Sequence, residues 1–227
     1  MQVTVLGATG GTGRHLVTQA LERGHQVSAV VRDPGHAALP THPHLTVYRG
    51  DVHDAASIAD AIAPGSVVVS GLGVASKKEA GTLTAGARAV VAAHPARIVW
   101  LGAIGTGRSA SAVGRLTARL LRAGFGAEYD DKVTADATVL DAGGTVLHSG
   151  PLSDQADDPG TRAVPLSAAG RRFFPHRSAR ATIARLMLDE AETPCHPGQL
   201  IIPQRRSSGE LRRDTAGQER VPAARRR

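Results

Sequence analysis

Short apolar runs alternate with amphipathic stretches along most of this chain. Val3–Leu6, Val27–Val31, Leu45–Tyr48, Val67–Ser70, Arg97–Leu101, Thr145–His148 and Leu200–Ile202 read as strands. The run Val67–Val69 is apolar throughout, as a strand covered on both faces requires. After the first strand, Leu16, Val17, Ala20 and Leu21 recur at helical spacing and stop at Gly24. Asp54 caps a short helix through Ile58 and Ile62, and further helices are expected over 77–93, 111–122, 128–140 and 178–190. The remainder of 151–198 reads as loops. This alternation predicts an α/β fold, a Rossmann-type doubly wound parallel sheet in a single domain with a small C-terminal substrate-side lobe. Ligands of such a sheet sit outside the carboxyl ends of its strands.

The first junction carries the strongest chemical signal. Gly7, Gly10 and Gly13 follow the first strand directly in the segment Gly7–Ala8–Thr9–Gly10–Gly11–Thr12–Gly13–Arg14. In such a turn the first glycine lets the chain leave the strand sharply, and the second clears the backbone for a pyrophosphate. The third lets the helix pack closely on the sheet. The free N–H groups at the helix start then face the phosphates, with the positive end of the helix dipole behind them. A glycine-rich loop that merely turns is the alternative. The complete strand–helix–strand unit through Val31 argues for a nucleotide site.

With 227 residues, the chain suffices for one domain, expected over 1–203, with 151–198 forming the substrate side. The formal net charge of +7 is uneven: segment 204–227 holds eight arginines against three acids, +5 of the total. Few large apolar residues accompany them, so a basic disordered tail is expected. It lacks the interleaved aromatics that stack on bases, so no specific nucleic acid is expected. No apolar stretch is long enough to span a membrane, and Met1 leads straight into the first strand, so neither membrane nor leader peptide is expected. The single cysteine, Cys195, cannot form an internal disulfide, which suits a reduced, cytoplasmic protein. The Ala-, Gly-, Val- and Arg-rich composition resembles that of GC-rich bacteria.

Beyond the glycine turn, Val31–Arg32–Asp33–Pro34, Gly50–Asp51–Val52, Ser70–Gly71–Leu72–Gly73, Ile104–Gly105–Thr106–Gly107, Lys132 with Ala135–Asp136, and Ser149–Gly150–Pro151–Leu152 arrive in a familiar order. The chain resembles the atypical short-chain dehydrogenases/reductases, in their NAD(P)H-binding, NmrA-like and flavin-reductase-like branch, over residues 1 to about 203. The resemblance implies cofactor binding by Gly7, Thr9, Gly10, Gly11, Thr12, Gly13 and Arg14. It also implies that Asp51 and Val52 border the adenine, and that Ser70, Gly71 and Leu72 lie beside the nicotinamide ribose. Arg32 stands where an NAD enzyme carries an acidic residue, and a guanidinium there favours the 2′-phosphate of NADP(H). Asp33, beside it, is the competing ribose partner.

The catalytic pattern of the family breaks in this chain. Typical members use a serine after the fifth strand, and a tyrosine whose hydroxyl is tuned by a lysine four residues later. Here Leu101–Gly102–Ala103 offers no hydroxyl, and Tyr129 and Lys132 stand only three apart. Lys132 matches a basic position of the atypical branch, with an ion pair to Asp130 or Asp131 as the plain alternative. His148, at the end of the sixth strand, is expected to point at the cleft as acid or base, or else to bond backbone. His176 is a further candidate for the pocket wall, and no histidine spacing suggests a metal.

The leading expectation is an NADPH-dependent oxidoreductase acting on a small organic carbonyl, quinone or flavin, as a monomer or homodimer. A non-catalytic NADP(H)-binding redox sensor is the first alternative. The second is a repurposed cyclase, isomerase or dehydratase on the same fold.

Overall fold

The computed structural model describes residues 1–74, 81–169 and 177–206. Its strands are β1 (Gln2–Leu6), β2 (Gln26–Val31), β3 (Leu45–Arg49), β4 (Val67–Ser70), β5 (Arg97–Ala103), β6 (Thr145–Ser149), β7 (Leu152–Ser153), β8 (Thr161–Pro165), β9 (Ser178–Ala179) and β10 (Leu200–Arg205). The helices are α1 (Gly11–Glu22), α2 (Ala55–Asp60), α3 (Thr82–Ala92), α4 (Arg115–Phe125), α5 (Ala127–Asp141) and α6 (Arg180–Glu192). Eight strands form one sheet in the order β3-β2-β1-β4-β5-β6-β10-β8. All neighbours are parallel except β8, which runs antiparallel to β10. The order reverses between β1 and β4, which opens a crevice at the carboxyl ends of those two strands.

Alternation along each strand sorts the core into two layers. Val67 and Val69 of β4 join α1 and α6 through Leu16, Val17, Ile183 and Met187. Val68, between them, faces the opposite layer with Ile58, Leu83, Val90 and Val139 from α2, α3 and α5. The far ends of α1 and α6 are tied where His25 Nε2 and Arg23 Nη1 reach Glu192 at 2.6 and 3.1 Å. Burial pushes the Glu192 carboxyl up, but the hydrogen bonds from His25 and Arg23 outweigh that and hold it below its ordinary value.

Three expectations need correction. Within 151–198, expected as loops around one helix, Thr161–Pro165 pairs with β10 and forms the sheet edge. An edge strand tolerates Pro165 because its outer groups need no partner. The last strand also runs further than Ile202, with Arg205 opposite Thr161, so Gln204 and Arg205 belong to the sheet rather than to a tail. The helix expected over 111–122 is divided: a 3-10 turn spans Gly107–Ala112 and α4 starts only at Arg115. The helix expected from Lys77 is described from Thr82 onward; residues 75–80 lie outside the described segments, as do 207–227. Among the described residues, no helix is long and apolar enough to cross a membrane.

Candidate functional site

At the exit of β1 the chain turns through Gly7, whose φ of 67° lies in the left-handed region that side chains disfavour. Three backbone segments converge there. A Cβ on Gly7 would come within 2.9 Å of Leu72, and one on Gly13 would lie 2.0 Å from the Gly7 carbonyl oxygen. A Cβ on Gly71 would meet the Gly13 nitrogen at 3.3 Å. The turn, the start of α1 and the exit of β4 can meet this closely only as glycines. Gly10 differs: its nearest neighbour would be the Gly7 oxygen at 3.2 Å, so its open side faces the crevice.

Above this turn lies a cavity of about 1010 Å³, at the upper end of what ligand pockets span. It runs past Gly7, Thr9, Gly10, Gly11 and Thr12, along Arg32, Asp51 and Val52 on one side and Gly71 and Leu72 on the other. Ten of the expected cofactor residues thus share one wall. Gly11 and Thr12, which open α1, lie in this wall, and the first N–H groups of a helix have no intrahelical partner. Asp51 is held in place, its carboxylate accepting from His53 N at 2.9 Å and its own N–H donating to Ser57 Oγ at 3.0 Å. The open turn, free N–H groups and a cationic end at Arg32 fit a dinucleotide with its pyrophosphate over Gly10.

Arg32 and Asp33 differ in their surroundings at the end of β2. Asp33 turns away to accept from Gly35 N at 3.0 Å and to meet His36 Nδ1 at 2.7 Å, while Arg32 lines the cavity. Three expected cofactor residues lie outside the cavity wall. Gly13 is buried beneath the turn, and the Ser70 hydroxyl, fully buried, accepts from Leu72 N at 3.3 Å. Arg14 projects to the outer side of α1, its Nε donating to Thr9 O at 3.0 Å, beside a second hollow of about 630 Å³.

None of the three catalytic candidates lines the cavity. His148 does not point into the cleft; it is 1% exposed. Its Nδ1 lies 2.7 Å from Ser109 Oγ, and its Nε2 lies 2.8 Å from Asp136 Oδ2. Asp136 as a carboxylate only accepts, so Nε2–H donates to it, and with Nδ1 engaged by Ser109 neither ring nitrogen is left for a substrate. Ser109 in turn accepts from Gly105 N at 2.8 Å and lies 3.0 Å from Thr106 O. The network therefore fastens the turn after β5 to β6 and α5. It also explains the missing hydroxyl: a Cβ on Gly102 would sit 2.4 Å from the His148 ring. The imidazole fills the space that a side chain there would need.

Tyr129 accepts from Gly107 N at 3.3 Å, and the Arg122 guanidinium lies 5.3 Å from its ring centroid. Lys132 approaches Glu128 at 3.9 Å, one helical turn away. Asp131 instead caps α3 from outside, accepting from Leu83 N at 3.1 Å and Thr84 N at 2.9 Å. His176 lies outside the described residues.

The loops near 74–80 and 151–177, expected from the sequence to wall the substrate pocket, contribute Val74 and Leu152, while Leu101 and Thr82 were not singled out. Val74, Leu101 and Leu152 make one end of the cavity apolar, with Thr82 at the start of α3. Arg180 is the other omission. Its signal was topological, since a last helix packed beside α1 must begin near the glycine turn.

Comparison with known proteins agrees with this geometry. Residues 7–194 match the model of a family described as NAD(P)H-binding. An isoflavone reductase homolog from Zea mays is 39% identical over 80 residues, covering 32% of this chain and 26% of that protein. The match thus spans about a quarter of the maize protein's length. Among solved structures, an anaerobillin reductase from Escherichia coli O157:H7 superposes with a TM-score of 0.72 at 20% identity, covering 91% of this chain and 98% of that one. A short-chain dehydrogenase/reductase from Veillonella parvula, in complex with NADP, gives 0.74 at 15% identity, with 91% and 95% covered. At these identities the structural likeness is one of fold.

Proposed function

The chain belongs to the NAD(P)H-binding family, and we propose that it is an NADPH-dependent oxidoreductase that reduces a small organic carbonyl, quinone or flavin. One observation carries the reading: the glycine turn, Arg32, Asp51, Val52, Gly71 and Leu72 line a single cavity at the reversal of strand order. NADPH, when bound, supplies a hydride. The N–H groups opening α1 hold the pyrophosphate, and Arg32 holds the 2′-phosphate through charge-assisted bonds. Asp51 and Val52 border the adenine. Leu72, Val74, Leu101 and Leu152 exclude water at the reacting end. Among the described lining residues, no imidazole or phenol reaches that end, which favours an acceptor whose electron-poor ring takes hydride and draws its proton from solvent. The nucleotide-binding unit extends to Arg205 on this reading, with the basic segment appended. On this reading it works in the cytoplasm as a monomer or homodimer.

Arg32→Ala is expected to weaken NADPH by roughly 10- to 100-fold, as loss of one charge-assisted contact of about 1.5–3 kcal/mol implies. NADH affinity should stay unchanged. Calorimetric titration of both nucleotides checks this, and equal losses for the two would overturn the assignment of Arg32.

The positions of His148, Lys132 and Tyr129 outside the cavity wall favour one second reading, an NADP(H)-binding sensor without turnover. Steady-state oxidation of NADPH against a panel of quinones and flavins separates the two. Consumption with at least one acceptor supports the reductase, and tight binding with no consumption supports the sensor.

A further inference from the structure

Arg180 opens α6 and joins Arg32 as one of two arginines among the described residues of the cavity wall. Its side chain lies directly against the glycine turn: a Cβ on Gly11 would fall 2.5 Å from Arg180 Nε and 2.8 Å from its Cδ. On its other side Nη1 reaches Asp154 Oδ1 at 2.6 Å. The Asp154 side chain is 85% exposed, so solvent weakens the pair. The backbone beneath is rigid by comparison. Gln19 of α1 donates to Ala181 O at 3.0 Å, and Arg185 holds Asp157 at 2.9 Å together with the carbonyls of Asp158 and Thr161 at 2.9 and 3.0 Å. A fixed Cα thus carries a long cationic side chain, resting on a weak partner, at the rim of the place where a pyrophosphate would lie.

We propose that Arg180 is an anion clamp for the cofactor's pyrophosphate, held aside by Asp154 until the nucleotide enters. The guanidinium exchanges an exposed carboxylate for a phosphate oxygen in a less solvated cleft, where the same charge-assisted bond is stronger. Gly11 is part of the device, because any side chain there would displace the arm. The inference rests on the nucleotide reading of the cleft, but it adds a residue of the last helix and a competing carboxylate. It also predicts a pattern that Arg32 does not share. The pyrophosphate is common to NADH and NADPH, so the clamp acts on both equally.

The test is calorimetric titration of the full chain with NADPH and with NADH. Arg180→Gln is expected to weaken both nucleotides by the same factor, about 10-fold or more, with Arg180→Lys recovering part of the loss. Asp154→Asn is expected to tighten both by about 2- to 5-fold, since it removes a weak competitor. Melting temperatures without nucleotide should stay near that of the unaltered chain, because the pair lost is exposed. Parental affinity of Arg180→Gln for both nucleotides would overturn the clamp. So would a loss confined to NADPH, which would make Arg180 a 2′-phosphate ligand, or weaker binding by Asp154→Asn. If the unaltered chain binds neither nucleotide, the cleft reading itself fails and the clamp with it.

Discussion

Gly10→Val is expected to remove NADP(H) binding, a loss on the order of 10³-fold or about 4 kcal/mol, from a chain that still folds. Gly10 faces the cavity, and its backbone already adopts an extended conformation at φ −71° and ψ 167° that valine accepts. A Cβ there would meet only the Gly7 oxygen at 3.2 Å, so the methyl groups enter the space of the pyrophosphate. Gly13→Val is the contrasting control. Its Cβ would be driven to 2.0 Å from backbone, so it should damage the fold and not merely the ligand. Circular dichroism with nucleotide titration checks the pair. A folded Gly10→Val chain with parental affinity would refute the phosphate turn.

The second large effect concerns stability. His148→Ala is expected to cost about 3–5 kcal/mol, because it leaves the Asp136 carboxylate buried without its imidazole partner. That is a large part of the net stability of an ordinary domain, about 5–15 kcal/mol. Asp136→Asn should cost less, since the amide oxygen can still accept from Nε2. Urea denaturation measures both, through a lower midpoint at unchanged slope. Nucleotide affinity of the folded His148→Ala chain should stay near parental, as the ring lies outside the cavity wall. If His148→Ala left the midpoint unchanged, the buried network would not be structural.

The contrast between these two sites marks what a sequence can disclose. The glycine turn was legible because its chemistry is local: strand, turn and helix lie within twenty-odd residues, and the glycine spacing shows inside that unit. Strand β4 was legible for a similar reason, as an apolar run needs two covered faces whatever covers them. His148 was misassigned because its place at a strand end indicated the cleft. Its parity told otherwise: two residues after Val146, it shares the face that packs on α5. Asp136 and Ser109, which complete the network, come from distant parts of the chain. β8 and Arg180 were hidden more deeply. A short edge strand with a terminal proline is defined by its pairing with β10, and Arg180 meets the glycine turn only because α6 packs on α1. Neither relation leaves a local periodicity. The cap on α3 was equally opaque, since nothing in the spacing of Asp131 tells that its carboxylate reaches Leu83 N and Thr84 N.

On the proposed reading, the cavity above the glycine turn holds NADP(H). Calorimetric titration of the unaltered full-length chain with NADPH, and in parallel with NADH, tests it most directly. One NADPH per chain is expected, bound roughly tenfold or more tightly than NADH, as a charge-assisted 2′-phosphate contact at Arg32 requires. A folded chain that binds neither nucleotide, or prefers NADH, would contradict it.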